Sequence, residues 1–158
     1  MTNSTSLSNY LNPELISVQT SVSSGKKLLE KMANMLSKPL ANAKPKDIYH
    51  GLLEREKLGN TGIGNGVAIP HSRSSLANNA IVALITLDEP IDFDSSDRQP
   101  VDVAFGLLVP AEATSQHLNL LASIAKLMSD PDKKQQLSKA ENNEQVVQLI
   151  TQWSTNTE

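Results

Sequence analysis

Two segments of this chain, residues 81–87 (IVALITL) and 101–109 (VDVAFGLLV), are almost continuously apolar. A strand with one wet face alternates apolar and polar residues. Runs that barely alternate suit strands buried on both faces. Such strands need cover above and below, so the chain must supply helices to both sides of a sheet.

The rest of the sequence offers them. Leu28, Leu29, Met32, Met35 and Leu36 recur at helical spacing and predict an amphipathic helix over residues 24–40. Pro45 suits the first turn of a second helix, with Ile48, Tyr49, Leu52 and Leu53 on its apolar face and an end near Gly59. A third spans residues 114–128. Asp130-Pro131 reads as an N-cap followed by proline at the first helical position. Asn142 and Gln145 form a capping-box pattern before Val146, Val147, Ile150 and Trp153. Residues 15–20 (LISVQT) alternate like a short strand, and residues 67–69 (VAI) form a short apolar segment that ends at Pro70. The order is one strand, two helices, two or three strands, then three helices. It predicts an α/β fold, a three-layer α/β/α sandwich. At 158 residues with no internal repeat or long linker, the chain reads as one domain, with residues 1–10 and 154–158 loose.

Composition narrows the chemistry. There are 14 Lys+Arg against 17 Asp+Glu, a net charge of −3, and no basic cluster, which argues against a nucleic-acid partner. Without cysteine there is no disulfide, thiolate metal site or thiol nucleophile. Three widely spaced histidines argue against a histidine metal cluster, and neither metal nor cofactor is expected. The first residues lack a basic and an apolar region, so they do not read as a secretory signal. No apolar run approaches the roughly 20 residues that span a bilayer. A cytoplasmic protein with no membrane insertion is the expectation.

The stretch GNTGIGNGVAIPHSR holds the candidate chemistry. It is not a P-loop, which needs a terminal Gly-Lys-Ser/Thr, and its glycines lack the spacing and context of a dinucleotide fingerprint. What remains is a glycine-rich backbone beside a short strand that ends at Pro70, so His71 is expected to emerge at a strand end. A neutral imidazole is a nucleophile toward phosphorus that needs no activating base. Taken alone, His71 reads first as a structural histidine bonded to a loop carbonyl.

Two more residues bear on it. With residues 114–128 as a helix, Leu118, Leu121, Ile124, Ala125 and Met128 share a face, and His117 lies on that face in the first turn. It is either a satisfied core histidine or a second site residue near a helix N-terminus, where phosphate is favoured. On the preceding helix, Glu56 points toward the apolar face and suits hydrogen bonds from the glycine-loop amides, and Arg55 sits at the edge as a candidate cation. An exposed Arg55–Glu56 pair on the surface is the alternative. His50 lies on the opposite, polar face. The acidic loop with Asp92, Asp94 and Asp97 lacks the glycine and terminal glutamate of an EF-hand and reads as solvated.

The run Glu56 … Ile63-Gly64-Asn65-Gly66-Val67-Ala68-Ile69-Pro70-His71 resembles the active-site signature of the fructose/mannitol-type enzyme IIA of the bacterial phosphotransferase system. The longer REKLGNTGIGNGVAIPH is most similar to the nitrogen-regulatory branch, and resemblance continues through ITLDEPIDFDSSDRQPVDVAFGLLVPAEATSQHLNLLASIAKL. It implies a mixed sheet with helices on both faces and a phosphorylatable His71 served by HPr or its nitrogen-branch counterpart. His117 and Arg55 fall at the positions of the family's phosphoryl-stabilising histidine and arginine. Glu56, Gly64 and Gly66 would support the site. The residue after the histidine is usually very small in the family; here it is Ser72, whose hydroxyl suits phosphate. Regulated proteins of potassium, nitrogen or carbon metabolism are the implied partners. A sugar-specific enzyme IIA that feeds an enzyme IIB, and an interaction module without phosphoryl transfer, are the competing readings.

Overall fold

The apolar runs pair with each other in the middle of a six-stranded sheet. In the computed structural model, which describes residues 7–112 and 115–156, β1 is Ile16–Thr20, β2 Gly62–Gly64, β3 Val67–Ala68, β4 His71–Ser74, β5 Ile81–Ile91 and β6 Val101–Pro110. β5 and β6 run antiparallel, with Leu84 opposite Phe105 and Ile85 opposite Ala104. β1 lies parallel to β5 on one flank. On the other flank β3 and β4 both run parallel to β6, one after the other along its length. β2 pairs antiparallel with β3. The sheet is therefore mixed.

Helices cover both faces. α1 (Gly25–Ser37) and α2 (Pro45–Leu58) bury Leu28, Met32, Leu36 and Leu52 against Ala83, Ile85, Ala104 and Leu108. α3 (Ser115–Met128), α4 (Pro131–Ser138) and α5 (Asn143–Asn156) bury Leu120, Ile124, Leu137, Val146 and Ile150 against Leu84, Val103, Phe105 and Leu107. Successive residues of β5 and β6 feed opposite cores, which is why those runs show so little alternation. Each fully buried Leu, Ile or Phe contributes roughly 1.5–3 kcal/mol, so these two cores hold the sheet. Gly106 lets α1 lie close. A Cβ there would stand 2.2 Å from the Met32 sulfur.

The helix starts follow their sequence signals. Ser24 accepts from the Lys27 amide (3.1 Å), Asp130 from the Asp132 amide (2.9 Å) and Asn142 from the Gln145 amide (2.9 Å). Each satisfies an amide that has no intrahelical partner.

Several expectations shift. Leu15 ends a short 3-10 turn, and β1 begins at Ile16. α1 ends at Ser37 rather than residue 40. Residues 7–10, expected to be loose, form a 3-10 turn whose Leu7 is buried with Trp153 and Ile150. α5 reaches Asn156, past residue 154. Thr114, expected to open the third helix, lies outside the described residues.

Candidate active site at the β4 edge

Pro70 was expected to end its strand and leave His71 at the tip. Instead the chain rejoins the sheet at once. Proline lacks an amide proton but keeps its carbonyl, and Pro70 O accepts from the Leu107 amide (3.0 Å). His71 then opens β4, opposite Leu107, with Ser72 opposite Leu108 and Arg73 opposite Val109. Side chains alternate along a strand, so His71 and Arg73 share the α3 side of the sheet while Ser72 turns to α2.

A cavity of about 430 Å³ wraps this edge. α2 contributes Gly51, Arg55 and Leu58; α3 contributes His117, Leu118 and Leu121; β4 contributes His71, Ser72 and Arg73. The structure thus brings His71, His117, Arg55 and Ser72 to one hollow. A larger, shallower depression of about 720 Å³ beside α1, lined by Lys27, Glu30 and Lys31 among others, holds no histidine.

The His71 ring is oriented by its own backbone. Nδ1 lies 2.7 Å from the Ile69 carbonyl oxygen. A carbonyl only accepts, so Nδ1 carries the proton and Nε2 keeps a lone pair. His71 is pushed below the ordinary imidazole pKa of 6.5, mainly because burial penalises the charged ring. The Ile69 hydrogen bond opposes this shift, Arg55 adds to it and Glu56 opposes it. The ring is therefore neutral at pH 7.

Arg55 donates from Nη1 to the Gly59 carbonyl (2.7 Å), which ties the end of α2 to the chain that leaves it. Glu56 does not pair with it. One Glu56 oxygen accepts from the Thr61 amide (3.0 Å), and the other accepts from the Thr61 hydroxyl. The glutamate thus grips the first turn of the glycine stretch.

Gly64 and Gly66 lie elsewhere. They flank Asn65 at the tip of the β2–β3 hairpin, where the three residues have φ of 92°, 61° and 79°. Left-handed backbone of this kind favours glycine and tolerates asparagine. The Gly66 carbonyl accepts from the Asp102 amide (3.0 Å), at the start of β6. From Asp102 to Leu107, opposite His71, is roughly 16 Å at about 3.3 Å per residue. Neither glycine lines the cavity. Gly64 and Gly66, expected to support the histidine, shape a turn that binds the acidic loop. Asn65 N donates to Asp97 (3.0 Å) and Asn60 Nδ2 to the Phe93 carbonyl (2.7 Å). Asp97 is correspondingly more than a solvated loop residue.

α3 also departs from its helical wheel. Leu118, expected on the apolar face, is 62% exposed at the cavity rim, and Leu120 is fully buried in its place. His117 is half-buried one turn before Leu120. His50 is exposed. No group of metal-binding side chains occurs among the described residues.

Residues 9–153 match the family model described as Phosphoenolpyruvate-dependent sugar phosphotransferase system, EIIA 2. The nitrogen regulatory protein of Pseudomonas aeruginosa is 41% identical over 144 residues, covering 91% of this chain and 94% of that protein. The nitrogen regulatory protein of Escherichia coli is 39% identical over 146 residues, covering 92% and 89%. The crystal structure of nitrogen regulatory protein IIA-Ntr from Neisseria meningitidis superposes with a TM-score of 0.86 at 35% identity, covering 91% of this chain and 98% of that one.

The chain belongs to the EIIA 2 family.

Its similarity is to the nitrogen-regulatory branch. Among the described residues no helix of this EIIA chain is long and apolar enough to cross a membrane. Two of its site residues escaped the sequence. Gly51 lines the cavity, and a Cβ there would stand 2.4 Å from the Ser72 hydroxyl. Thr61 reads as a loop threonine, yet it is buried at 5% exposure. Its only sequence signal is its place five residues after a glutamate that faces inward.

Proposed function

We propose that this EIIA protein is a regulatory phosphoryl carrier that accepts a phosphoryl group on Nε2 of His71 from an HPr-like protein. The observation that carries the reading is the Nδ1 contact to the Ile69 carbonyl, which leaves Nε2 as the nucleophile. In the transfer the P–N bond of the donor phosphohistidine breaks and a P–Nε2 bond forms on His71. The donor imidazole leaves neutral because its second ring nitrogen keeps its own proton, and the His71 proton stays on Nδ1, hydrogen-bonded to the Ile69 carbonyl. Little covalent work falls to the protein, so position and charge dominate. Arg55 and His117, which share the cavity with His71, would stabilise the charge on the phosphoryl oxygens. Ser72 sits beside them with its side chain on the α2 face.

The phosphorylation state would then govern binding to partner proteins in the cytoplasm, among regulated proteins of potassium, nitrogen or carbon metabolism. The resemblance to nitrogen regulatory proteins over most of the chain supports this. A second reading, an enzyme IIA that passes phosphate to an enzyme IIB, draws on the fructose-specific EIIA component of Haloferax volcanii, 34% identical over 101 residues. A transport defect for one sugar in a deletion strain would favour that alternative.

The test is mass spectrometry after incubation with phosphoenolpyruvate, enzyme I and an HPr-type carrier. The expected result is one added phosphoryl group, mapped to His71 and absent from His71→Gln. An unmodified His71 under conditions that phosphorylate a homologue would sink the reading.

A further inference from the structure

The ring of His71 is held by one carbonyl, and that carbonyl is itself held. Ile69 N donates to the Thr61 carbonyl (3.0 Å), and Pro70 O accepts from Leu107 N (3.0 Å). The Ile69–Pro70 peptide is therefore pinned on both sides. It has no amide proton of its own, and the residue before a proline is confined to extended backbone. The Ile69 carbonyl has one direction left to it, toward Nδ1. Thr61 is in turn fixed by Glu56 through both its amide and its hydroxyl. A continuous path thus runs from α2 to the imidazole: Glu56, Thr61, Ile69, His71.

From this path we infer that Thr61, held by Glu56, is a positioning residue for His71, fixing the Nδ1–H tautomer and the direction in which Nε2 points. The inference rests on the phosphoryl-acceptor reading of His71, though Thr61 touches no transferred group. A free imidazole exchanges its proton between the two nitrogens; only the Nε2 lone pair is useful if Nδ1 faces a carbonyl. If Thr61 lets Ile69 drift, the carbonyl loses its aim, the ring turns, and the nucleophile leaves line with phosphorus. Displacements near 1 Å cost on the order of a hundredfold in transfer rate. The carboxylate has a further effect that a neutral side chain would lack, since its charge opposes the downward shift of the His71 pKa.

The experiment reads the ring directly. Nitrogen NMR of His71 in the full chain, well above its pKa, distinguishes protonated Nδ1 from protonated Nε2. Wild type should show Nδ1–H. Thr61→Val, which keeps the shape but removes the hydroxyl, should mix the tautomers. It should also lower kcat for uptake from a phosphorylated HPr-type carrier about tenfold or more with KM unchanged, because the cavity surface is intact. Thr61→Ser, which restores the hydroxyl, should return both readouts. Thermal melting checks that each variant is folded. Should Thr61→Val not fold, Glu56→Gln serves, since its amide oxygen accepts only one of the two Thr61 donors; it should move both readouts part of the way. The inference is overturned by a wild-type ring protonated on Nε2, by a folded Thr61→Val with wild-type tautomer and kcat, by a Thr61→Ser that fails to rescue, or by an unmoved Glu56→Gln. A wild-type ring locked as Nδ1–H that takes no phosphoryl group would instead defeat the carrier reading and leave the path standing.

Discussion

The glycine hairpin and β4 are neighbours in sequence and opposites in construction. The hairpin tip has three successive residues at positive φ, tied down by Asp97 and Asp102. β4 is four residues of ordinary extended backbone at an edge, His-Ser-Arg-Ser, with helices on either side. The conspicuous motif is architecture, and under the proposed function the plain strand beside it would carry the chemistry. The hairpin closes the sheet at the start of β6, which fixes the register of β3. Register along β6 then delivers His71 to Leu107, within reach of α3. Left-handed backbone and the proposed acceptor are thus divided between two ends of β6.

Three substitutions or titrations would break or sharpen that division. The largest effect is expected at Arg55. Arg55→Gln should slow phosphoryl uptake by about tenfold to a hundredfold, the scale of losing one charge-stabilising donor. It should also raise the midpoint of His71, because the guanidinium contributes to its lowering. Stopped-flow transfer and an NMR titration measure the two. An unchanged rate would remove Arg55 from the site and leave it as a tie to Gly59. The hairpin should respond in the opposite sense. In Gly66→Ala the new Cβ would meet Asp102 Oδ1 at 3.2 Å and Lys134 Nζ at 2.8 Å, in a backbone with φ of 79°. A non-glycine residue there costs roughly 1–2 kcal/mol, so denaturant melts should shift while the transfer rate of the folded protein holds. A rate that fell with stability preserved would join the hairpin to the chemistry.

The smallest effect is with pH. His71 must be neutral to attack, and its pKa lies below 6.5 because burial disfavours the charged ring. Transfer should therefore be on its plateau at pH 7 and decline only as pH falls below 6.5. The stability sign follows the same asymmetry. With the folded pKa depressed, the unfolded chain binds more protons, so stability falls as pH drops through the window below 6.5. A rate midpoint at or above 6.5 would contradict the buried, carbonyl-bound ring.

How far the sequence reaches differs between the same two regions. The central strands were legible because burial on both faces leaves an uninterrupted apolar run. The helix starts were legible because a cap is a local bargain between a side chain and the next turn. β4 was not, since an edge strand between a cavity and two helices needs no apolar period. Gly64 and Gly66 were legible as turn formers, but their distance from the cavity was not, because spacing along the chain does not report distance across a sheet. Leu118 and Leu120 exchanged places because a wheel gives the phase of a face only approximately. His117 and Arg55 were found through their helix faces, and both do line the cavity. Thr61 and Gly51 depend on contacts with Glu56 and Ser72 that no local pattern reveals.

The Gly51–Ser72 contact also restricts how this site can diverge. An alanine arriving first at position 51 would crowd the Ser72 hydroxyl at 2.4 Å and force it to move. A glycine arriving first at position 72 would open a gap that a methyl group could later fill. The two substitutions are safe in one order and costly in the other. The two positions are therefore coupled, and which residue each tolerates depends on its partner across the α2–β4 contact.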